Sequence, residues 1–434
     1  MDKMADVLGR AGAWCGQNKY LSAIKNAFQN FMPLTIAGAI GVLWCNVLVN
    51  DQTGLGLFFK PIMALDFLNP AFQAVNFCTI SCITVGITLG IAQEIGVWNM
   101  GAERAGYIPG LVGLAAWLSV TNTSHMVDGA KEAFTGIAGN ELGATGLFTG
   151  MIIGVLSVEL FCFFEKQDAL KIKMPEQVPP GVARAFEVLV PATITLIITA
   201  CIGSACYNLT GLYLNDVIKN GVQGPLGAVG ATVPGVMIIY LVIMLFWLVG
   251  IHGNNMLSAV KEALFTPLAL ENVEAFNKGE TPKNIINMYF LQMCGEFGGS
   301  GVTIGLVIAI IIFGKREDNK AIATLSLVPG LFNINETVTF GIPMVLNPIL
   351  GIPFVFACLV TILVGYVLTV IGFCPVACLT VPWTCPPIVF GFLACGANVM
   401  GAVTQAILIV VSTVIYVPFL ISYEKYQNKQ AAEA

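Results

Sequence analysis

The chain has 434 residues, of which 56% are hydrophobic and 10% charged, with a formal net charge of −5 and a mean hydropathy of +0.82. A soluble globular domain carries about 25% charged residues, and a disordered chain carries more charge with fewer apolar side chains, so both classes are excluded. The acidic balance provides no basic stripe for nucleic acid, and what remains is an all-α polytopic membrane protein.

Residues 1–25 place Asp2, Asp6 and several polar side chains where a signal peptide has its apolar core, so no cleavage is expected. Apolar spans follow near 27–49, 72–92, 106–120, 142–164, 188–212 and 233–251, then near 298–313 and in two or three crossings between 353 and 421. About ten transmembrane helices are expected. Lysine and arginine mark the orientation: Lys3, Arg10, Lys19 and Lys25 precede the first span, and Lys166, Lys171, Lys173 and Arg184 follow the fourth. Lys315, Arg316 and Lys320 form a third group, and Lys425 and Lys429 a fourth. The positive-inside rule makes all four groups, and with them both termini, cytoplasmic. Only three apolar spans separate the second group from the third, so a further crossing or a re-entrant piece is expected there.

The polar linker 165–184, with its lysines and Pro179–Pro180–Gly181, is the best boundary between two membrane halves. Residues 1–184 read as an amino-terminal scaffold, 185–232 as the fifth helix with an outer loop, and 233–434 as the part that carries the chemistry. A second polar stretch, 271–283, reads as a surface loop with a short amphipathic helix. The first five spans read as ordinary scaffold helices. By contrast, 325–338 is interrupted by Pro329, Gly330, two asparagines and Glu336, and 376–395 by Pro382, Pro386 and Pro387. These segments read as re-entrant or broken, and irregular backbone at membrane depth is tolerated only where protein or a water-filled cavity satisfies it.

Between Ala321 and Tyr423 the sole residue among Asp, Glu, Lys, Arg and His is Glu336. A lone carboxylate at that depth costs several kcal/mol unless hydrogen-bonded, solvated or protonated, which makes it a functional candidate against the plainer alternative of a helix-end carboxylate. Asn333 and Asn335 add the paired donors and acceptors that sugar hydroxyls need. His252 ends an uncharged span and is followed by Gly253, Asn254 and Asn255, a sequence that breaks a helix and exposes polar groups. The ring donates or accepts near neutral pH; the alternative is a histidine satisfying a helix end. Trp383, between prolines, either stacks on the apolar face of a sugar ring or anchors at the interface. Glu94 and Glu159 lie near cytoplasmic helix ends, Glu296 before Gly298-Gly-Ser-Gly301 either lines the path or is structural, and His125 sits in a polar loop with Asp128. Most of the thirteen cysteines lie in apolar segments without CxxC or Cys/His ligand spacing and read as packing residues. No GxxxxGK[ST], HExxH or GxSxG occurs, so neither a metal nor a cofactor is expected.

The IHG segment at His252, the GGSG at 298–301, the PGLFNINE…FGIPMVLNP segment and the VPWTCPP segment, in that order, resemble the membrane-embedded enzyme IIC of the phosphoenolpyruvate-dependent sugar phosphotransferase system, in its lactose/cellobiose/diacetylchitobiose family. The likeness runs through nearly the whole chain, and its departures from the family pattern are Glu296, Thr337 and Asn398. The resemblance implies a homodimer in the bacterial cytoplasmic membrane, whose amino-terminal half makes most of the dimer contact. Its carboxy-terminal half would hold a β-linked disaccharide between two re-entrant hairpins and move like an elevator. It implies that His252 and Glu336 lie near the reactive sugar hydroxyl, with Asn333, Asn335 and Trp383 among the lining groups, and that phosphate comes from a separate phosphorylated enzyme IIB. Glu336 would accept a hydrogen bond or proton from the hydroxyl while His252 orients it. The competing class is an ion-coupled transporter that releases its solute unmodified and uses Glu336 as a proton or cation site.

Overall fold

The structure, a computed structural model, describes residues 10, 13, 14, 17–51, 55–57, 59–125, 134–175, 177–342 and 344–433. Lys3, Asp128 and Pro343 lie outside these. Among the described residues the regular structure is helical except for one two-residue antiparallel pairing, Ser124–His125 against Phe134–Thr135. Six helices are long and apolar enough to cross a membrane, or seven if the bent pair Met288–Val302 and Ile304–Phe313, which meet at 59°, counts as one span.

The chain divides into two compact units, and the division falls at Ala228–Val229, close to the start of the 233–434 segment. The linker 165–184 lies inside the first unit, Gln17–Gly38 with Ala74–Ala228. Helix α1 (Lys19–Leu43) begins in this unit. The rest of the unit is built on α2 (Ile83–Met100), α3 (Ile108–Val120), α4 (Ala144–Glu165) and α5 (Pro180–Thr210). Small residues let these helices approach: a Cβ at Gly150 of α4 would fall 2.2 Å from Thr88 Oγ1 of α2. Ile87, Ile91, Trp117 and Phe161 fill the space between.

Several charges of this unit are paired at helix ends. Glu165, whose side chain is almost fully buried, accepts from Arg104 at 2.8 Å and Arg184 at 2.9 Å, and Glu187 pairs with both arginines. Glu94 accepts from Asn26 at 2.9 Å, and Glu159 pairs with Lys19 at 2.6 Å. Two of the first spans are less ordinary than expected. The span near 72–92 is broken at Thr79, whose hydroxyl turns back to the Val75 carbonyl, before α2 begins at Ile83. Helix α3 has 13 residues, a rise of about 20 Å against roughly 30 Å of hydrocarbon. After α5 the segment expected to be a loop is largely wound into short helical turns, Leu214–Ile218, Lys219–Gln223 and Gly224–Gly230.

The second unit takes in Ala39–Gln73 and Val229–Ala434. Its framework is α6 (Val233–Leu248), α7 (Ser258–Asn277), α8 (Met288–Gly295), α9 (Ile304–Phe313), α10 (Glu317–Leu331), α11 (Glu336–Gly341), α12 (Gly351–Val370), α13 (Val389–Ala394) and α14 (Val399–Glu433). Fully buried Tyr240, Phe265, Phe290, Phe297, Phe354 and Phe390 form its core. The stretch 271–283 is not a loop with its own helix: 271–277 are the last turns of α7, and Asn272 is buried there because its side chain has backbone to serve. At the start of α10 the Arg316 guanidinium beside Asp318 holds that carboxyl below the usual carboxylate range.

Between α12 and α13 the backbone runs without regular structure from 371 to 388, and buried side chains supply the hydrogen bonds that a helix would have supplied. The Ala377 carbonyl accepts from Asn272 and Asn287, each at 3.0 Å. The Tyr289 hydroxyl meets the Thr380 hydroxyl at 2.6 Å. Gln405 of α14, buried to 1% exposure, accepts from the Ile388 and Gly391 amides and donates to the Met293 carbonyl at 3.1 Å.

Candidate functional site

Helix α6 stops after sixteen residues because Gly250 takes a left-handed conformation, φ +82°. His252 then caps the single turn Gly253–Met256, its Nδ1 accepting from the Asn255 backbone N–H at 3.2 Å. With Nδ1 an acceptor, the neutral ring carries its proton on Nε2. The imidazole lies against the Trp247 indole, centroids 4.5 Å apart.

Glu336 comes from a different break. Helix α10 ends at Leu331, Asn333 adopts φ +63°, and the chain restarts as α11 with Glu336 in its first turn. The carboxylate reaches His252 across the gap, Nε2 to Oε1 3.8 Å, with the two side chains 39% and 47% exposed. That separation is too long for a hydrogen bond between them. It is short enough for one hydroxyl oxygen to sit about 2.8 Å from both, donating to the carboxylate and accepting from Nε2–H.

The two asparagines beside Glu336 face the protein's own backbone. Asn333 Oδ1 accepts from the Gly298 N–H at 2.6 Å, while its Nδ2 donates to the carbonyls of Trp383 and Cys385. Asn335, 3% exposed, donates to the Ser300 carbonyl at 2.8 Å. Asn254, two residues after His252, donates to the Ser300 hydroxyl at 3.2 Å. Four segments far apart in sequence, around 252, 300, 335 and 384, are thus tied into one polar cluster. The turn at 298–301 admits nothing larger than glycine at three positions: Gly298 has φ +69° and its Cβ would run into Ile304, Gly299 has φ +89° and its Cβ would fall 2.6 Å from Asn335, and Gly301 has φ +76° and its Cβ would meet the Phe354 ring at 2.4 Å. The Gly301 carbonyl accepts from the buried Tyr416 hydroxyl at 2.8 Å. Trp383 is 43% exposed, with its backbone carbonyl held by Asn333.

Lys261 escaped the sequence reading, which left Glu296 open between lining the path and a structural role. Glu296 is paired with Lys261 and accepts from the Tyr240 hydroxyl at 2.7 Å, in an almost dry setting. Lys261 stands at the end of the charge-free run 220–260, so it looked like the start of a polar surface; the signal that it turns inward was an isolated acid 35 residues later that needed a partner. No group of three or more metal-binding side chains occurs among the described residues, and the twelve cysteines among them are free. A recess of about 480 Å³ lined by Leu241, Leu248, Ile352, Val355 and Phe356 is apolar apart from Asn347. It offers a ligand few polar groups, whereas the His252 cluster presents several.

The family model described as "Phosphotransferase system, EIIC" matches residues 25–358. The chain is 32% identical to the oligo-beta-mannoside-specific EIIC component of Bacillus subtilis (strain 168), over 98% of this chain and 94% of that protein. It is 29% identical to the cellobiose-specific EIIC component of Lactococcus lactis subsp. lactis (strain IL1403), over 98% of each. It is 30% identical to the lactose-specific EIICB component of Streptococcus mutans serotype c, over 96% of this chain and 71% of that longer protein. Among solved structures, the transporter ChbC, the IIC component from the N,N'-diacetylchitobiose-specific phosphotransferase system, matches with a TM-score of 0.88 and 29% identity, covering 97% of each chain.

Proposed function

This chain belongs to the phosphotransferase system EIIC family, and from that premise we propose that it carries a β-linked disaccharide such as cellobiose or diacetylchitobiose across the bacterial cytoplasmic membrane for phosphorylation by a separate, phosphorylated enzyme IIB. The observation that carries this reading is the 3.8 Å gap between His252 Nε2 and Glu336 Oε1, open to solvent and built on two helix breaks. One sugar hydroxyl fits it, with Glu336 accepting the hydroxyl proton and His252 holding the oxygen toward an incoming phosphoryl group. Asn333 and Asn335 serve the sugar by fixing the segment that bears Glu336, and Trp383 offers its exposed face for stacking.

The disaccharide class is drawn from the names of the similar proteins, whose stated substrates are oligo-beta-mannosides, cellobiose, lactose and diacetylchitobiose. The lactose-specific relative is named an EIICB component, which supports an enzyme IIB as the partner. On this reading 233–434 is the sugar-binding transport part, with two re-entrant hairpins at the irregular segments. Residues 1–184 and 185–232 are the scaffold of a homodimer, against which the sugar-binding part travels as an elevator, with about ten helices spanning the bilayer and both termini cytoplasmic.

The test is uptake of radiolabelled cellobiose, diacetylchitobiose and lactose into vesicles holding this protein, with and without phosphoenolpyruvate and the soluble partners, followed by separation of free from phosphorylated sugar. Phosphorylated sugar that appears only with the partners is the expected result. Accumulation of free sugar that an uncoupler abolishes would overturn it in favour of an ion-coupled carrier.

A further inference from the structure

The Lys261–Glu296 ion pair, beside the His252 cluster, is a buried pair of opposite charges that the proposed sugar chemistry leaves unused. Lys261 is presented by the first turns of α7, and its ammonium also lies 5.7 Å from the centre of the Tyr240 ring. Glu296 follows the last residue of α8 and takes both the Lys261 ammonium and the Tyr240 hydroxyl on Oε1. The side chains are 8% and 16% exposed. Two buried charges that neutralise each other gain little net stability over an apolar pair, because desolvation offsets most of the attraction, while removing one partner strands the other. Bulk stability alone is therefore a weak reason for the pair, and its location supplies a better one.

Two residues along the chain from Glu296 lies the turn that holds the site together. The Gly298 amide is bound by Asn333, the Ser300 carbonyl by Asn335 and the Ser300 hydroxyl by Asn254. On the other side of Glu296, the Gly295 carbonyl accepts from the Cys358 thiol at 3.2 Å. Any shift of the Glu296 carboxylate would carry the turn with it, and with the turn the segments bearing Glu336 and His252.

We propose that Lys261 and Glu296, with Tyr240, form a positioning pair that fixes the 298–301 turn and sets the electric field in which the His252 imidazole gains and loses its proton. Neither touches the sugar, and the proposal rests on the reading above only for its effect on sugar binding. The charged groups acting on the imidazole are Glu336 of α11, Lys261 of α7 and Glu296 beyond α8; Lys261 acts against the protonated ring and the two carboxylates in its favour. Loss of either member of the pair therefore moves the ring's titration in opposite directions, which a merely structural brace would not do.

The chain contains two histidines, so His125→Gln leaves His252 as its single imidazole, and NMR of ring-labelled, detergent-purified protein follows it without any ligand. In that background Lys261→Met is expected to raise the titration midpoint and Glu296→Gln to lower it. The charge-swapped Lys261→Glu/Glu296→Lys keeps a pair, so it tests the sign where a single substitution prevents folding. Its midpoint is expected above that of the parent, because Lys261 acts on the ring more strongly than Glu296. Shifts of the same sign, no shifts, or a swapped protein that titrates like the parent would overturn the proposal. Cellobiose affinity on the same samples separates the two readings. Opposite ring shifts in a parent that binds no sugar uphold the pair and reject the sugar site. Sugar binding without opposite shifts rejects the pair.

Discussion

Glu336→Gln isolates what the carboxylate's charge contributes, because glutamine has nearly the same shape and keeps one acceptor oxygen. A hydroxyl seated 2.8 Å from Glu336 makes a charge-assisted hydrogen bond, roughly twice as strong as the neutral bond that glutamine would make. Hydrogen bonds to charged groups contribute about 1.5–3 kcal/mol net, and neutral ones about 0.5–1.5. The substitution should therefore cost about 1–1.5 kcal/mol of sugar binding, a five- to twelvefold rise in Kd. Loss of proton acceptance should be larger, about 10²–10⁴-fold in phosphorylation rate at saturating sugar. Calorimetric titration in detergent reads the first quantity, and phosphoryl transfer with purified partners reads the second. His252→Gln should weaken binding by a similar factor, and because one hydroxyl bridges both groups the double variant should lose less than the two single losses added together. Strict additivity, or a Glu336→Gln protein that binds and phosphorylates sugar normally, would refute the bridged-hydroxyl geometry.

Trp383→Ala should weaken sugar binding several-fold, corresponding to about 0.5–1.5 kcal/mol of ring contact, and leave membrane insertion unchanged; unchanged affinity would assign the indole to interfacial anchoring. Gly301→Ala forces a left-handed alanine into the Phe354 ring, so the melting temperature of purified protein should fall clearly and sugar binding with it, whereas Gly372→Ala, at φ +78° with open space around it, should show only the backbone penalty of about 1 kcal/mol. Gln405→Leu removes the partner of two amides and a carbonyl at once. At about 1–3 kcal/mol for each buried group left unsatisfied, it should lower thermal stability more than any substitution named here, a ranking that differential scanning fluorimetry checks directly.

What the sequence discloses and what it conceals follow from contrast. Glu336 and His252 stand out because their surroundings carry no other charge, so the cost of burying them has no cheap explanation. The breaks at 332–335 and 371–388 are legible through proline, glycine and asparagine in otherwise apolar runs. Lys261 and Gln405 are concealed for the opposite reason. The lysine borders polar sequence that reads as surface, and the glutamine sits in a long apolar helix where nothing local says which backbone it serves. Asn333 and Asn335 show a further limit: their residue type points equally to a ligand's hydroxyls and to the chain's own amides, and it is the fold that directs their Nδ2 groups to the carbonyls of Trp383, Cys385 and Ser300. The stretch 271–277 misleads because its charges read as a loop, although the helical period carries on through Asn277.

The side-chain amide hydrogen bonds to the backbone of 371–391 come from Asn272 of α7, Asn287 at the start of α8, Asn333 between α10 and α11, and Gln405 of α14. During synthesis the first three are in place before this segment leaves the ribosome, but the fourth belongs to the last helix to be made. Until α14 is inserted, the Ile388 and Gly391 amides have no glutamine to bind, and the segment that carries Trp383 cannot settle. Assembly of the site is thereby deferred to the end of translation, and a chain released early would carry Glu336 and His252 without the finished cluster around them.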